Sequence, residues 1–295
     1  MVGSVLRTER FVCIHMLPPI ASSFVAGETP EAAIDHVAAC NDDGVAGILN
    51  LLGEHYTDPE DAAADTQAYI DLIESLADRG VDGCVSVKPS QIGLDIGDDV
   101  FRSNLQSIVD TGQQHDRFVW IDMEDHTTTD VTLDAFESQA LATDGDVGVC
   151  VQANLKRTRE DLERLADLPG KVRFVKGAYD EPKSVSHKGK AVVDEAYRDL
   201  LDYAFREFDD GQIAVGSHDP AMIEYAAECY AEYGTDYEVQ MLMGVRETAQ
   251  RELAADGIPV YQYIPYGGKW ASYFYRRLRE RKENAVFALR AIVGK

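Results

Sequence analysis

The chain has 295 residues, 45% of them hydrophobic, and a formal net charge of −24 from 52 acidic against 28 basic side chains. That length suits one large domain, such as a β/α barrel of roughly 250 residues with an extension. So strong a negative charge repels phosphates and argues against nucleic acid as a partner.

The acids are interleaved with apolar periodicity, which excludes low-complexity disorder and reads as a surface adapted to high salt, where screening removes self-repulsion. Five widely spaced cysteines, Cys13, Cys40, Cys84, Cys150 and Cys229, contain no C-x-x-C and indicate neither a disulfide framework nor zinc. No apolar run is long enough to span a bilayer. The stretch 11–20 is apolar, but it contains Pro18 and Pro19 and lacks a cleavage pattern, so it is not read as a signal peptide. A cytoplasmic, soluble protein is expected.

In chain order, Thr29-Pro30-Glu31 opens a helix to about Asn41, with Thr as cap, Pro in the first turn and an acid near the N-terminus. An unbroken alternation follows. Strand 45–51 precedes a helix over 59–79, strand 83–88 a helix over 98–112, and strand 118–122 a helix over 132–142. Strand 147–152 precedes a helix opened by Thr158, and strand 172–176 precedes a long loop and a helix over 190–208. Strands 213–216 and 237–240 precede helices through Cys229 and Ala254. The last unit is a strand around Tyr261–Tyr263, a Pro265/Gly267 turn and a helix carrying Arg276 and Arg277. Short, continuously apolar strands alternating with helices mean a parallel sheet covered by helices, and eight units close it into a (β/α)8 barrel of the TIM type. No G-x-G-x-x-G follows the first strand, so the signature of an open dinucleotide-binding sheet is missing.

A barrel of this kind places its active site at the C-terminal ends of its strands. There stand Glu54, Lys88, Asp122, Gln152, Lys176, His218, Gln240 and Tyr263. Period two puts Val85 and Val87 toward the helices and Ser86 with Lys88 toward the barrel interior. An inward lysine must be paired or functional. Asp122, inward by the parity of Phe118 and Trp120, is a partner for it, either as a rim ion pair or as part of a site. Lys176 invites a Schiff-base aldolase reading, as does Lys88. Arg173 and Val175 point to the face opposite Lys176. The run Asp122, Glu124, Asp125, His126 has loose spacing for a metal site and no second His at ligand distance. Adjacent Arg276 and Arg277 splay about 100° apart on a helix, so they either hold a small anion between them or extend a solvated basic patch with Arg279, Arg281 and Lys282. A non-catalytic small-molecule-binding barrel is the remaining alternative.

The segments Phe24 to Thr29, Leu51-Leu52-Gly53-Glu54, Ser86-Val87-Lys88-Pro89-Ser90, Asp122-Met123-Glu124-Asp125, Val151 to Leu155, Arg173 to Tyr179, Ser217-His218-Asp219, Gln240 to Gly244 and Tyr263 to Glu280 together resemble the proline dehydrogenase family, in its compact single-function branch. They span nearly the whole chain in order, and Tyr273-x-x-Arg276-Arg277-Leu278-x-Glu280 is the most specific. The resemblance implies a single domain, with an N-terminal extension and helix over 1–42, the barrel over 43–280 and a tail over 281–295. It implies oxidation of L-proline to Δ1-pyrroline-5-carboxylate, the first step of proline catabolism, by hydride transfer to N5 of a flavin. FAD is the flavin expected, with FMN the alternative, and a quinone takes the electrons, with peripheral contact at the inner face of the cell membrane. It assigns Arg276, Arg277 and Lys88 to the proline carboxylate, Asp122 to holding Lys88, and Tyr263 and Leu242 to the pyrrolidine ring. Glu54 matches an acid that gates the site by pairing with the second arginine. Gln152, Arg173, Val175, Lys176, Gly177, Ala178, His218, Asp219 and Glu280 fall on flavin contacts. Asp219 stands where many members have Asn, a departure at one cofactor hydrogen bond.

Overall fold

The structure, a computed structural model, describes residues 21–271. Eight parallel strands, β1 (Ala46–Leu51), β2 (Gly83–Val87), β3 (Val119–Ile121), β4 (Val147–Gln152), β5 (Lys171–Val175), β6 (Ile213–Gly216), β7 (Tyr237–Leu242) and β8 (Val260–Tyr266), pair in sequence order, and β8 pairs back to β1. The expected (β/α)8 barrel is therefore closed. Helix α1 (Pro30–Asp42) precedes β1. Helices α2 (Pro59–Arg79), α3 (Asp98–Gln114), α4 (Thr129–Thr143), α5 (Thr158–Leu165), α6 (Lys190–Glu207), α7 (Pro220–Tyr233) and α8 (Glu247–Ala255) each follow a strand.

Local chemistry sets many of these boundaries. Thr29, Asp58 and Asp219 each cap a helix that starts with proline, accepting from Ala32 N (3.4 Å), Glu60 N (2.9 Å) and Ala221 N (3.2 Å). Gly80 and Gly234 end α2 and α7 in the left-handed region. Helix α4 starts three residues before the expected Thr132, because its Thr127-Thr128-Thr129 start carries no side-chain cap and no apolar period.

The strands divide two cores by parity. Val85, Val87, Val119, Ile121, Val149, Phe174, Val215, Val239 and Ile264 pack outward against the helices. Ile48, Cys84, Trp120 and Ala214 form a small inner cluster, joined by Phe118, Tyr261 and Tyr263. Each fully buried aliphatic side chain contributes about 1.5–3 kcal/mol. The inner phase continues along the strands to the polar mouth.

Helix α1 covers the outer face of the β1–β8 seam. A Cβ at Gly47 would lie 2.6 Å from Val37 Cγ2 and 3.2 Å from Ile264 Cδ1, so this glycine permits the close approach. His36 Nε2 meets Gln262 Oε1 at 2.6 Å across the same seam. Ala26 N donates to Pro265 O and Gly267 N to Gly27 O, both at 2.9 Å, which ties the segment before α1 along β8. Among the described residues no helix is long and apolar enough to cross a membrane.

Candidate active site

Asp122, one residue past β3, is the hub of the barrel mouth. Its backbone N–H donates to Val87 O at 2.9 Å, extending the β2–β3 ladder and fixing the side chain inward. Oδ1 accepts from Ser86 Oγ at 2.7 Å and from Arg173 Nη2; Oδ2 accepts from Lys88 Nζ at 2.9 Å and from Tyr263 OH at 2.7 Å. Four donors from β2, β5 and β8 thus converge on one carboxylate. The inward parity expected of Ser86, Lys88, Asp122 and Arg173 is observed, and Lys88 has the expected partner.

Burial opposes charge at every member of this cluster, and at Asp122, Lys88 and Arg173 the neighbours overrule it. For Asp122 the desolvation is outweighed by Lys88 and Arg173, with Tyr263 donating, so its carboxyl is held well below the usual carboxylate range. Burial would lower Lys88, but Asp122, followed by Tyr263 and Tyr179, holds its ammonium well above the ordinary value. Arg173 is raised in the same way, against burial, by Asp122. Burial and then Asp122 push the Tyr263 hydroxyl well above its usual value, so it stays a donor. Two fixed cations against one carboxylate leave an excess of one positive charge in a largely dehydrated mouth. That environment suits an anionic group.

The Arg173 guanidinium also donates to Ser86 Oγ at 3.2 Å and to Gln240 Oε1 at 3.1 Å, and it stacks 4.9 Å from the Trp120 ring and 5.5 Å from that of Tyr263. Leu242 ends β7 opposite Tyr263 in register, at the same mouth. Its backbone N–H donates to His218 Nε2 at 3.4 Å.

Lys176 is the residue the structure moves. Strand β5 ends one residue earlier than expected, at Val175, and Lys176 turns outward to pair with Asp194 of α6 and with Asp219 at 2.7 Å. Asp219 caps α7 and also takes Lys190 at 3.0 Å. Lys88 is held as a cation by Asp122. Neither lysine is a neutral amine facing the barrel, which is what a Schiff-base aldolase needs. The side chains of the acidic run diverge as well. Glu124 accepts from Ser90 N and Ser90 Oγ, both at 2.7 Å, Asp125 accepts from Thr127 N at 2.8 Å, and His126 turns to Glu181. Among the described residues no group of three or more His, Cys, Asp or Glu is placed to hold a metal ion.

The β4–β5 side of the rim offers a corner for a cofactor. Gln152 Nε2 donates to Glu124 O at 2.7 Å, while Asn154 Oδ1 is buried without a hydrogen bond. Gly177, at φ +100°, lies against that oxygen so closely that a Cβ there would overlap it. An orphaned buried acceptor beside a side-chain-free wall calls for a donor, and the ribityl hydroxyls and ring N3–H of a flavin carry such donors. The residues present therefore fit that group. Val175 and Gly177, each half-buried, and the exposed Ala178 border the corner in sequence.

Glu54 lies in the loop after β1, half-buried. The same loop is pinned by His55 to Asp95 (2.9 Å) and by Tyr56 OH to Asp65 (2.7 Å). Lys269 donates to Tyr56 OH, and Trp270 Nε1 to Glu28 Oε1 at 3.0 Å, shortly after β8. Arg276, Arg277 and Glu280, expected at the carboxylate and flavin, lie outside the described residues, as do 1–20 and the tail 281–295.

Ser86, Gln240, Asn154 and Glu181 are contributors to which sequence reasoning gave no role. The parity of Ser86 and Gln240 was a signal for the first two. Glu181 had none: it is buried, and its carboxylate takes both His126 N (2.9 Å) and His126 Nδ1 (2.5 Å) across 55 residues of chain.

Comparison with known proteins agrees with this geometry. A family model described as proline dehydrogenase matches residues 33–290. The chain is 37% identical over 282 residues to a proline dehydrogenase of Deinococcus radiodurans, covering 93% of this chain and 90% of that one. It is 33% identical over 278 residues to proline dehydrogenase 1 of Bacillus subtilis, covering 93% and 91% respectively. Among solved structures, proline utilization A from Bdellovibrio bacteriovorus, inactivated by N-propargylglycine, shares the fold with a TM-score of 0.81 at 22% identity. That match covers 90% of this chain but 33% of the other, so this chain spans about a third of that protein's length. With a matching family model over most of its length and relatives of near-equal size, the chain belongs to the proline dehydrogenase family.

Proposed function

We propose that the protein oxidises L-proline to Δ1-pyrroline-5-carboxylate with a bound flavin, FAD, and passes the electrons to a quinone, working at the inner face of the cell membrane. The observation that carries this reading is the Lys88–Asp122–Arg173–Tyr263 cluster in a member of the proline dehydrogenase family. When bound, the flavin supplies a two-electron acceptor, which proline needs to lose a hydride from ring carbon and a proton from nitrogen and become an imine.

The chain's own residues do the rest. Lys88, kept charged by Asp122, offers a fixed ammonium to the substrate carboxylate, with Arg276 and Arg277 completing the clamp. Tyr263 and Leu242 present an apolar wall to the pyrrolidine ring, so that it is oriented rather than merely bound. Arg173 adds a second fixed cation to the mouth. Gln152, Asn154, Val175, Gly177, Ala178 and His218 would hold the cofactor, with Lys176 and Asp219 at its outer edge and Glu280 added by the family resemblance. Glu54 gates the mouth against Arg277.

An absorption spectrum of the purified protein before and after L-proline tests this. A flavin spectrum bleached by proline is the expected result. Protein that stays colourless after incubation with FAD and FMN rejects it.

A further inference from the structure

Below the mouth, the barrel interior carries a second polar tier that the proposed chemistry does not use. Lys171 of β5 donates to Glu238 Oε2 at 2.5 Å, with the Phe118 ring 5.5 Å and the Tyr261 ring 5.9 Å from its ammonium. Glu238 Oε1 accepts from Gln240 Nε2 at 2.6 Å, and Gln240 Oε1 accepts from Arg173 Nη1 at 3.1 Å. Glu238, Gln240 and Arg173 are each about 4% exposed, so water does not compete for these bonds.

Each bond has a forced direction. A carboxylate is acceptor-only and a guanidinium donor-only, and an amide is the neutral side chain that can donate to one while accepting from the other. Glu238 therefore compels the Gln240 amide to turn its NH2 down and its oxygen up. We propose that Gln240 is a positioning residue for Arg173, and that the Lys171–Glu238 pair sets the polarity of its amide. Without Glu238 the Gln240 NH2 is buried with no acceptor, and the amide leaves its place against Arg173 to find one. The guanidinium would then keep Asp122, Ser86 and its ring contacts with Trp120 and Tyr263 but lose its tie to β7, and would pivot toward β2 and β3. This inference rests on the flavin-dependent reading above, in which Arg173 is a fixed cation of the mouth.

The test uses flavin-loaded full-length protein and four variants: Gln240→Met, Glu238→Met, Glu238→Gln and the double Glu238→Met/Gln240→Met. Gln240→Met and Glu238→Met should each lose tenfold or more in kcat, with KM for proline within threefold. The double variant should be no worse than the more impaired single, because both act through one contact. Glu238→Gln still offers an oxygen to Gln240, since the half-exposed Lys171 can turn to solvent, and should stay within threefold of the parent. Gln240→Met changes no charge, so its flavin midpoint potential reports the place of the guanidinium. It should fall by the equivalent of tenfold or more, about 30 mV for a two-electron couple. Folded, flavin-loaded Gln240→Met with parental kcat and potential overturns the proposal. So do additive losses in the double variant, or a Glu238→Gln variant as impaired as Glu238→Met. If Glu238→Met does not fold, Gln240→Met and Glu238→Gln decide alone. A parent that takes up no flavin overturns both readings, whereas a competent parent with indifferent variants overturns this one only.

Discussion

Asp122 has no spare capacity: each oxygen already serves two donors. Replacing it by Asn puts an NH2 against two of them and leaves Lys88 and Arg173 as buried cations with no full counter-charge. Removing one partner of a buried pair costs roughly 3–5 kcal/mol, so Asp122→Asn should lower Tm markedly and reduce kcat/KM at least tenfold. The pH dependence has a definite sign. Because the folded-state pKa of Asp122 is depressed, its contribution is fully present above the unfolded value of about 4 and is lost as pH falls below it. Lys88 is raised, so its contribution holds below about pH 10 and is lost only above that. Tm measured from pH 7 down to pH 2 should therefore fall more steeply in the parent than in Asp122→Asn; parallel curves would contradict the hub. Tyr263 makes a second residue-level prediction. Its ring faces the mouth while its hydroxyl is tied to Asp122, so it leaves little room for a hydroxyl on the substrate ring. L-Proline should be preferred over trans-4-hydroxy-L-proline by tenfold or more, as overpacking a fitted site costs about 1–3 kcal/mol. Tyr263→Ser should relax the ratio of the two kcat/KM values, and an unchanged ratio would reject the role.

At the scale of elements, the β5–α6 loop is stitched to its neighbours by Glu181 to His126, by His187 N to Asn154 O at 2.7 Å and by a Leu155–Ser186 bridge. Glu181→Ala would leave the His126 N–H and ring nitrogen without their acceptor, a loss of about 1–3 kcal/mol. Limited proteolysis should then cut within 176–189 faster than in the parent, with Glu181→Gln intermediate because it keeps one acceptor oxygen. Equal cleavage rates would show that the loop does not depend on this pair. The barrel and the inward direction of Lys88 and Asp122 were legible in the sequence because period two is a local property, readable from five residues at a time; at β5 period two set Arg173 opposite Lys176, and the resemblance chose which of them points inward. The outward turn of Lys176 was half-legible: its parity opposed Arg173, but the aspartates that draw it out, Asp194 and Asp219, lie on later helices. Glu181 was illegible, since nothing local distinguishes a buried loop acid from the many exposed ones around it.

For the whole molecule, the −24 charge sits on a surface whose described ion pairs include exposed ones such as Arg79–Asp35 and Arg159–Glu163. Such pairs contribute little, so the surplus acids repel one another with few cations to offset them. Raising the salt from 0.1 M to 1 M shortens the screening length from about 10 Å to about 3 Å. Tm should rise over that range and beyond it, and a Tm independent of salt would show that the acidic surface serves solubility alone.

The helix over the β1–β8 seam sets a timetable during synthesis. Helix α1 is made before every strand of the barrel, yet its partners on β8 include Gln262, 226 residues downstream of His36. At synthesis rates of about 5–20 residues per second, that interval is roughly 10–45 s. Throughout it, the part of the α1 face that packs on β8 has no partner. Folding is thus arranged so that the first helix waits for the last strand, and the apolar face it shows meanwhile is the one a holding chaperone would meet.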